Sequence, residues 1–353
     1  MKIRLALLDN DAIYLNRIVA ALSTKYPDNF EIYSFTMADT ALATVTTAKI
    51  EVLLANTSFE LDTASIPAKC GFAYLCEDKD VEMIGEVRAV CKYQKVDRFY
   101  RSILSIYSDV CTAVTGTTFE VGGVKTLLFT SASGGTGASS LAAACAVSLA
   151  GAGRKVLYLN LEKFGSADNF FSGEGQFDLS DIVFAIKSKK NNLALKLESS
   201  VKQAQCGVYF YSASKLALDL QELTGDEIVK IVSELKISGG YEYIVIDTDF
   251  DTTLAKLQLM RQANNIVFVT DDSEIALTKT SRAWQSLMLL EQGGDNSIKD
   301  YVRLIYNKCT SASPRLPDGM EAAVLGVIPT VENADDDKVV AKLAGVSVFN
   351  DII

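Results

Sequence analysis

The feature that most constrains this chain is the run Ser131-Ala132-Ser133-Gly134-Gly135-Thr136-Gly137-Ala138-Ser139-Ser140. An apolar stretch, 125–130, precedes it and an alanine-rich stretch, 141–150, follows. The first predicts a buried strand and the second a helix, so the glycines fall on a strand-to-helix turn of an α/β fold. Backbone N–H groups can close on an anion there, because glycine lacks a Cβ and the helix N-terminus adds partial positive charge. The phosphate-loop pattern Gly-x-x-x-x-Gly-Lys-[Ser/Thr] is broken twice: Ala132 replaces the first glycine and Ala138 the lysine. Losing one charge-assisted hydrogen bond costs about 1.5–3 kcal/mol, while the backbone cradle and the Ser139 hydroxyl for Mg²⁺ are retained. Such a loop suits binding better than fast hydrolysis. An ordinary glycine turn, with small residues for close packing, fits the same letters.

At 353 residues the chain has length for two domains, and 49% apolar residues with only five prolines predict folded structure throughout. No apolar run reaches the roughly 18 residues of a membrane span. Met1 to Leu8 meets Asp9 too early for an export signal, which makes a cytoplasmic location the expectation. The net charge is −10; residues 1–115 carry 12 basic and 15 acidic side chains, the remainder 22 and 29. This balance argues against coating nucleic acid. Lys187, Lys189 and Lys190 form the sole basic cluster and read as a solvated helix end. The absence of histidine removes Ser-His-Asp and Cys-His catalysis and every histidine metal site. Seven scattered cysteines without a Cys-x-x-Cys pair read as buried, reduced thiols.

In residues 1–112, strand-like runs recur at 3–8, 30–35, 51–55, 71–75 and 86–91, with helical periodicity at 12–22 and 39–48. Five βα units of a doubly wound parallel sheet are expected. Asp9-Asn10-Asp11 follows the first strand and Lys92 the fifth, at the end where such sheets place ligands. These positions resemble a response-regulator receiver. The resemblance implies an acceptor aspartate after the third strand, but Ala55 or Asn56 stands there. Tyr93 replaces the expected proline, and Leu75-Cys76 offers no switch hydroxyl. A degenerate receiver used for protein contacts is the resulting expectation; a small α/β domain whose Asp9 and Asp11 merely cap a helix is the alternative. Residues 96–110 predict its last helix, packed on the sheet or dimerising, and 113–123 read as a linker.

Residues 124–353 continue with a second strand and Asn160-Leu161-Glu162. A strand near 207–212, a helix at 225–237 and the apolar run 241–246 ending in Asp247 follow. Strands at 265–270 and 301–306, then Asn307-Lys308, and Val324-Leu325-Gly326-Val327-Ile328-Pro329 complete the series. This order resembles the ParA/MinD class of P-loop ATPases. The receiver-like front and the lysine-free Gly-Gly-x-Gly-Ala-Ser-Ser are similar to its TadZ/CpaE branch. That resemblance implies two doubly wound α/β domains, receiver-like (flavodoxin-like) and then ParA/MinD-like, with ATP and Mg²⁺ as ligands. Gly134, Gly135, Thr136, Gly137, Ala138, Ser139 and Ser140 would wrap the phosphates, Ser140 at the α-phosphate. Ser139 would hold Mg²⁺, with Asp247 acting through water. Asn307 would read the adenine edge, and the backbone near Pro329 would border the base.

Departures from that class bear on mechanism. Ser133 stands where active relatives carry a lysine that reaches across a dimer, and Asn160 and Glu162 replace aspartates. Glu162 can orient a water, Asn160 cannot act as a base, and hydrolysis is expected to be slow or absent. Lys163 lies nearby. Residues 338–349 hold two lysines and an early glycine and predict a core-packed last helix rather than a membrane anchor. Asp335, Asp336 and Asp337 would supply negative charge at its start. Trp284, on a leucine-rich helix, is expected in the core.

Together these implications describe a homodimeric ATP-binding scaffold for assembly of a Tad (Flp) type IV pilus secretion machine. Its partners would be the Tad secretion ATPase or other pilus-assembly proteins, without nucleic acid or direct membrane insertion. It would sit in the cytoplasm, at a cell pole or peripheral to the membrane through partners. The alternatives are an active ParA/MinD-type positioning ATPase for division or DNA partition, a phosphorylation-controlled output protein, and a nucleotide-free scaffold.

Overall fold

The computed structural model describes residues 2–79, 81–110, 124–188, 193–238, 240–290, 298–331 and 336–352. Two compact units account for the chain, one of residues 1–117 with 187–200 and one of residues 118–186 with 201–353. The expected linker at 113–123, Lys189, Lys190, Asp335 and Cys111 lie outside the described residues.

The first unit runs β1 (Ile3–Leu8), α1 (Ala12–Lys25), β2 (Phe30–Phe35), α2 (Ala38–Thr47), β3 (Val52–Asn56), β4 (Gly71–Cys76), β5 (Met83–Ile84), β6 (Val87–Cys91) and α3 (Val96–Val110). Its sheet has the order β2-β1-β3-β4-β6-β5, parallel except for the short β5 against β6. Strands β1 and β3 are apolar on both faces, as a parallel sheet requires. On one face Leu5, Leu7, Val52 and Leu54 meet Leu15, Ile18 and Leu22 of α1 and Phe99, Ile103 and Ile106 of α3. On the other, Ala41 and Val45 of α2 lie against the strands.

Of the five expected βα units, three have their helix. After β3 the chain makes only a short 3₁₀ turn, Thr63–Ser65, and Phe59, Leu61 and Ile66 pack beside Phe72 where a helix would lie. Asn56 accepts the N–H of Ser58, an Asx turn that competes with helix initiation. The strand expected from residue 86 begins at Val87, because Gly85 (φ 60°) and Glu86 form the tight turn of the β5–β6 hairpin.

The helix Leu193–Ser200 also belongs to this unit. Tyr100 donates to Glu198 at 2.9 Å, Lys196 donates to Ser105 at 3.0 Å, and Leu195 lies against the α1/α3 core. This helix is not among those expected from the sequence, and its partners are 91 and 98 residues away.

The second unit opens with β7 (Lys125–Thr130), α4 (Ala138–Gly151), β8 (Val156–Asn160), α5 (Ala167–Phe170) and α6 (Leu179–Lys187). With Leu193–Ser200 numbered α7, it resumes at β9 (Lys202–Gln203), β10 (Tyr209–Phe210), α8 (Ala217–Gln221), α9 (Gly225–Ser238), β11 (Tyr243–Asp247), α10 (Leu254–Met260), β12 (Asn265–Thr270) and α11 (Glu274–Leu290). It ends with β13 (Val302–Cys309), β14 (Ala323–Pro329) and α12 (Asp336–Ala344). The eight-stranded sheet has the order β14-β13-β12-β7-β11-β8-β10-β9, and β9 is antiparallel to β10. The strand expected at 207–212 shrinks to Tyr209–Phe210 near this edge.

Helix α4 is apolar almost all round, with Leu141 to Ala146 and Leu149 inaccessible, which is the pattern of a helix buried on several sides. Its cover includes Val340 and Leu343 of α12 and Phe349 beyond it, so the last helix packs in the core. Trp284 is buried on α11. Cys70, Cys76, Cys91, Cys145 and Cys309 are buried free thiols, whereas Cys206 is exposed, because it sits in the turn before β10 and not on an apolar element. Among the described residues, no helix is long and apolar enough to cross a membrane.

Candidate functional site

Parallel register aligns the strand ends around the glycine loop: Asp247 at the end of β11 lies opposite Phe129 of β7 on one side and Asn160 of β8 on the other. The loop therefore opens at the carboxyl edge of the sheet, between β11 and β12, where the chain's connections part to either side. Ser131 staples it. Its Oγ accepts from the Ser133 N–H at 3.1 Å and the Thr136 hydroxyl at 2.9 Å and donates to the Ser133 carbonyl at 2.8 Å. Gly137 sits at the helix N-cap with φ 84°, and no side chain caps α4. The first-turn N–H groups of a long buried helix are thus left for another acceptor. A Cβ on Gly137 would come within 2.6 Å of Asn307 Nδ2, so glycine is required there by contact as well as by φ.

Below the loop, acidic and hydroxyl oxygens converge. Ser139 Oγ is 3.1 Å from Glu162 Oε1 and 3.3 Å from Asp247 Oδ1. Asp247 Oδ2 accepts from Tyr158 at 2.8 Å and from Asn160 Nδ2 at 2.9 Å. Glu162 Oε2 accepts from Asn160 Nδ2 and from Ser166, both at 2.9 Å. Asp247 is 1% exposed, and burial, reinforced by the nearby Glu162 carboxylate, pushes its carboxyl up to about 8. Burial and Asp247 raise the Tyr158 phenol well above its ordinary value, so it serves as a donor. Two crowded carboxylates beside a hydroxyl are a hard-oxygen donor set, and a divalent cation would offset their repulsion. Among the described residues no group of three or more acidic, cysteine or histidine side chains gathers.

Lys256 of α10 is buried behind this edge, its ammonium on the Thr248 hydroxyl and 3.3 Å from the Leu161 carbonyl; burial lowers its pKa. Lys163 faces Asp251 at 3.9 Å.

On the other flank, Asn307 is buried on β13 and donates its amide to the Thr136 carbonyl at 2.8 Å. Lys308 donates to the Gly135 carbonyl at 2.7 Å. Pro329 ends β14 in register with Cys309, beside this pair. Asp272 anchors the chain just beyond, accepting from the Thr310 and Ser311 N–H groups at 2.8 and 2.9 Å and the Thr310 hydroxyl at 2.8 Å. The structure thus brings Gly137, Ser139, Glu162, Asp247 and Asn307 around one loop. Sequence reading assigns no contacts to Ser131, Tyr158, Lys256 or Lys308, although it places Ser131 in the glycine run and Lys308 after a strand beside the cradle.

In the first unit, the carboxyl edge of the sheet holds a closed polar cluster. Asp9 is inaccessible and pairs with Lys92 Nζ at 2.7 Å, and Asn56 Nδ2 donates to it at 2.9 Å. Asn56, ending β3, occupies the position after the third strand, and Ala55 is buried in the sheet. The Lys92 ammonium lies 4.6 Å from the Tyr14 ring centroid. Asp11 alone caps α1, accepting from Ile13 and Tyr14, bonds that hold its carboxyl below the ordinary range. The capping alternative is correct for Asp11 and not for Asp9.

Residues 1–108 match the family model of the TadZ-like receiver domain. No curated protein matches the chain. A ParA-family ATPase from Chlorobium tepidum superposes with a TM-score of 0.52 at 20% identity over 65% of this chain and 96% of that one. The septum site-determining protein MinD from Pyrococcus horikoshii, complexed with Mg-ADP, gives 0.47 at 20% identity, covering 63% of this chain and 94% of its own. A plasmid partition protein from Borrelia burgdorferi bound to AMPPNP gives 0.48 at 16%, covering 66% and 100%. Residues 1–108 of this chain thus match a TadZ-like receiver domain, and the fold over the remainder is similar to that of a ParA-family ATPase.

Proposed function

We propose that the chain is a TadZ/CpaE-type scaffold that binds ATP with Mg²⁺ as a conformational ligand and hydrolyses it slowly or not at all. The observation that carries this reading is an uncapped helix N-terminus behind a glycine loop, set over Ser139, Glu162 and Asp247, in a loop with Ser133 and Ala138 where lysines would stand. The N–H groups of residues 134–140 would hold the phosphates, and Ser139, with Asp247 through water, would hold Mg²⁺. The metal would neutralise charge on the phosphates. Asn307 and the backbone at Pro329 would border the base. Glu162 would orient water, and the hold of Asn160 and Ser166 on its Oε2 supports weak turnover. Differential affinity for two states is enough to switch an assembly without hydrolysis.

On this reading the protein is a homodimer that positions Tad pilus-assembly components, its secretion ATPase among them, and reaches a cell pole or the membrane through partners. The receiver-like domain supplies contacts and takes no phosphoryl group, since Asn56 stands at the acceptor position. Calorimetry of ATP with Mg²⁺, beside a steady-state hydrolysis assay, tests the reading. Binding without turnover supports it. Substantial, partner-stimulated turnover replaces it with an active positioning ATPase, and no binding at millimolar ATP leaves a nucleotide-independent scaffold.

A further inference from the structure

Resting on the nucleotide reading above, we propose that Lys308 supplies the phosphate-binding cation that the loop lacks, so that a lysine from the end of β13 replaces the one missing at Ala138. The loop, 131–140, contains neither lysine nor arginine. A nucleoside di- or triphosphate settling over Asp247 and Glu162 meets acidic side chains before any cation of the loop itself. Lys308 answers this from the opposite flank. Its Nζ is 2.7 Å from the Gly135 carbonyl, and its Cε is 3.6 Å from the point a Cβ on Gly137 would occupy. The side chain therefore reaches from one glycine of the turn to the other.

The backbone beneath it is held. Lys308 has φ 56°, a left-handed conformation that a non-glycine residue keeps only when its surroundings impose it, and the β13–β14 register shifts between Tyr306 and Cys309. Asn307 ties the chain to the Thr136 carbonyl on one side, and Asp272 ties Thr310 and Ser311 on the other. Lys163 and Lys256 belong to the acidic flank, beside Asp251 and on Thr248. Lys308 is exposed, with a flexible stem, and its partner is a neutral carbonyl. Exchanging that carbonyl for a phosphate oxygen turns a bond between a cation and a neutral acceptor into one between opposite charges.

The test compares ATP and adenosine binding, by calorimetry and saturation-transfer NMR, to the full chain and to Lys308→Met, Lys308→Arg and the double variant Lys308→Met/Ala138→Lys. Lys308→Met is expected to weaken ATP about ten- to hundredfold and leave adenosine within about twofold. Lys308→Arg should keep most of the affinity, and the added Ala138→Lys should restore it. Thermal unfolding of each variant controls for folding. Wild-type ATP binding with Lys308→Met unchanged overturns this inference and leaves the nucleotide reading standing. Equal losses of ATP and adenosine also overturn it, since they point to the base or loop geometry. No ATP binding by wild type overturns the nucleotide reading itself, and this inference with it.

Discussion

Asn56 donates its amide to the same Asp9 oxygen that accepts the Lys92 ammonium, at 2.9 and 2.7 Å, and all of Asp9 is inaccessible. A carboxylate buried this deeply persists only when its charge is matched. The receiver-like domain therefore contains its own neutralising cation, and its strand ends form a structural lock. Lys92→Met should destabilise the protein by about 3–5 kcal/mol, because Asp9 is left charged and unpaired. Asp9→Asn added to it should recover most of that loss. Urea denaturation of the three variants checks this, and a double variant as unstable as Lys92→Met would contradict it.

Gly137→Ala should remove ATP binding and lower the thermal midpoint. Its φ of 84° disfavours alanine, and the new methyl would press on Asn307 Nδ2 at 2.6 Å, displacing the amide from Thr136. Gly134→Ala should be milder, since a Cβ there meets nothing within 4 Å. Calorimetry on both variants checks the contrast; equal losses would show that φ and contact at Gly137 are not what matters.

Asp247→Asn should abolish the tightening of ATP binding by Mg²⁺, a loss of about ten- to hundredfold typical of a residue that orients a metal's ligands. It should leave binding in EDTA unchanged. Ser139→Ala should act in the same direction. If both variants keep the wild-type difference between Mg²⁺ and EDTA, the oxygen cluster below the loop is not a metal site.

Asp272 should make stability depend on pH. Its hydrogen bonds, that from the Ser311 N–H foremost, hold the carboxyl below its ordinary value of 3.8. A depressed acid stabilises the fold above the unfolded value and loses that contribution as pH falls through the folded one. Asp272→Ala should therefore melt lower than wild type at neutral pH, with the gap narrowing below about pH 4. Calorimetric melts across that range check the sign. A gap that stays constant with pH would show the ionised carboxylate to be irrelevant.

What was legible in the sequence was local. A glycine run between an apolar and an alanine-rich stretch specifies its own turn, the apolar pattern breaks at Asp247, where β11 ends, and at Asn307, two residues before β13 ends, and α4 declares its burial by being apolar almost all round. These signals depend on residues within one or two turns of each other, so they survive without knowledge of partners. The two missing helices of the first unit were not legible. Residues 57–70 and 77–86 lie where a βα repeat invites helices, and an Asx turn at Asn56 and the hairpin at Gly85 outweigh that expectation.

The rest was decided by tertiary structure alone. Asn307 and Lys308 reach carbonyls 171 and 173 residues earlier. Asp9 receives its charge partner from Lys92 at the far end of the domain, and the helix Leu193–Ser200 joins the first unit although its numbering lies within the second. No periodicity records such pairings, because a side chain's partner across a sheet edge is set by strand order and register, and these emerge only when the whole core has formed.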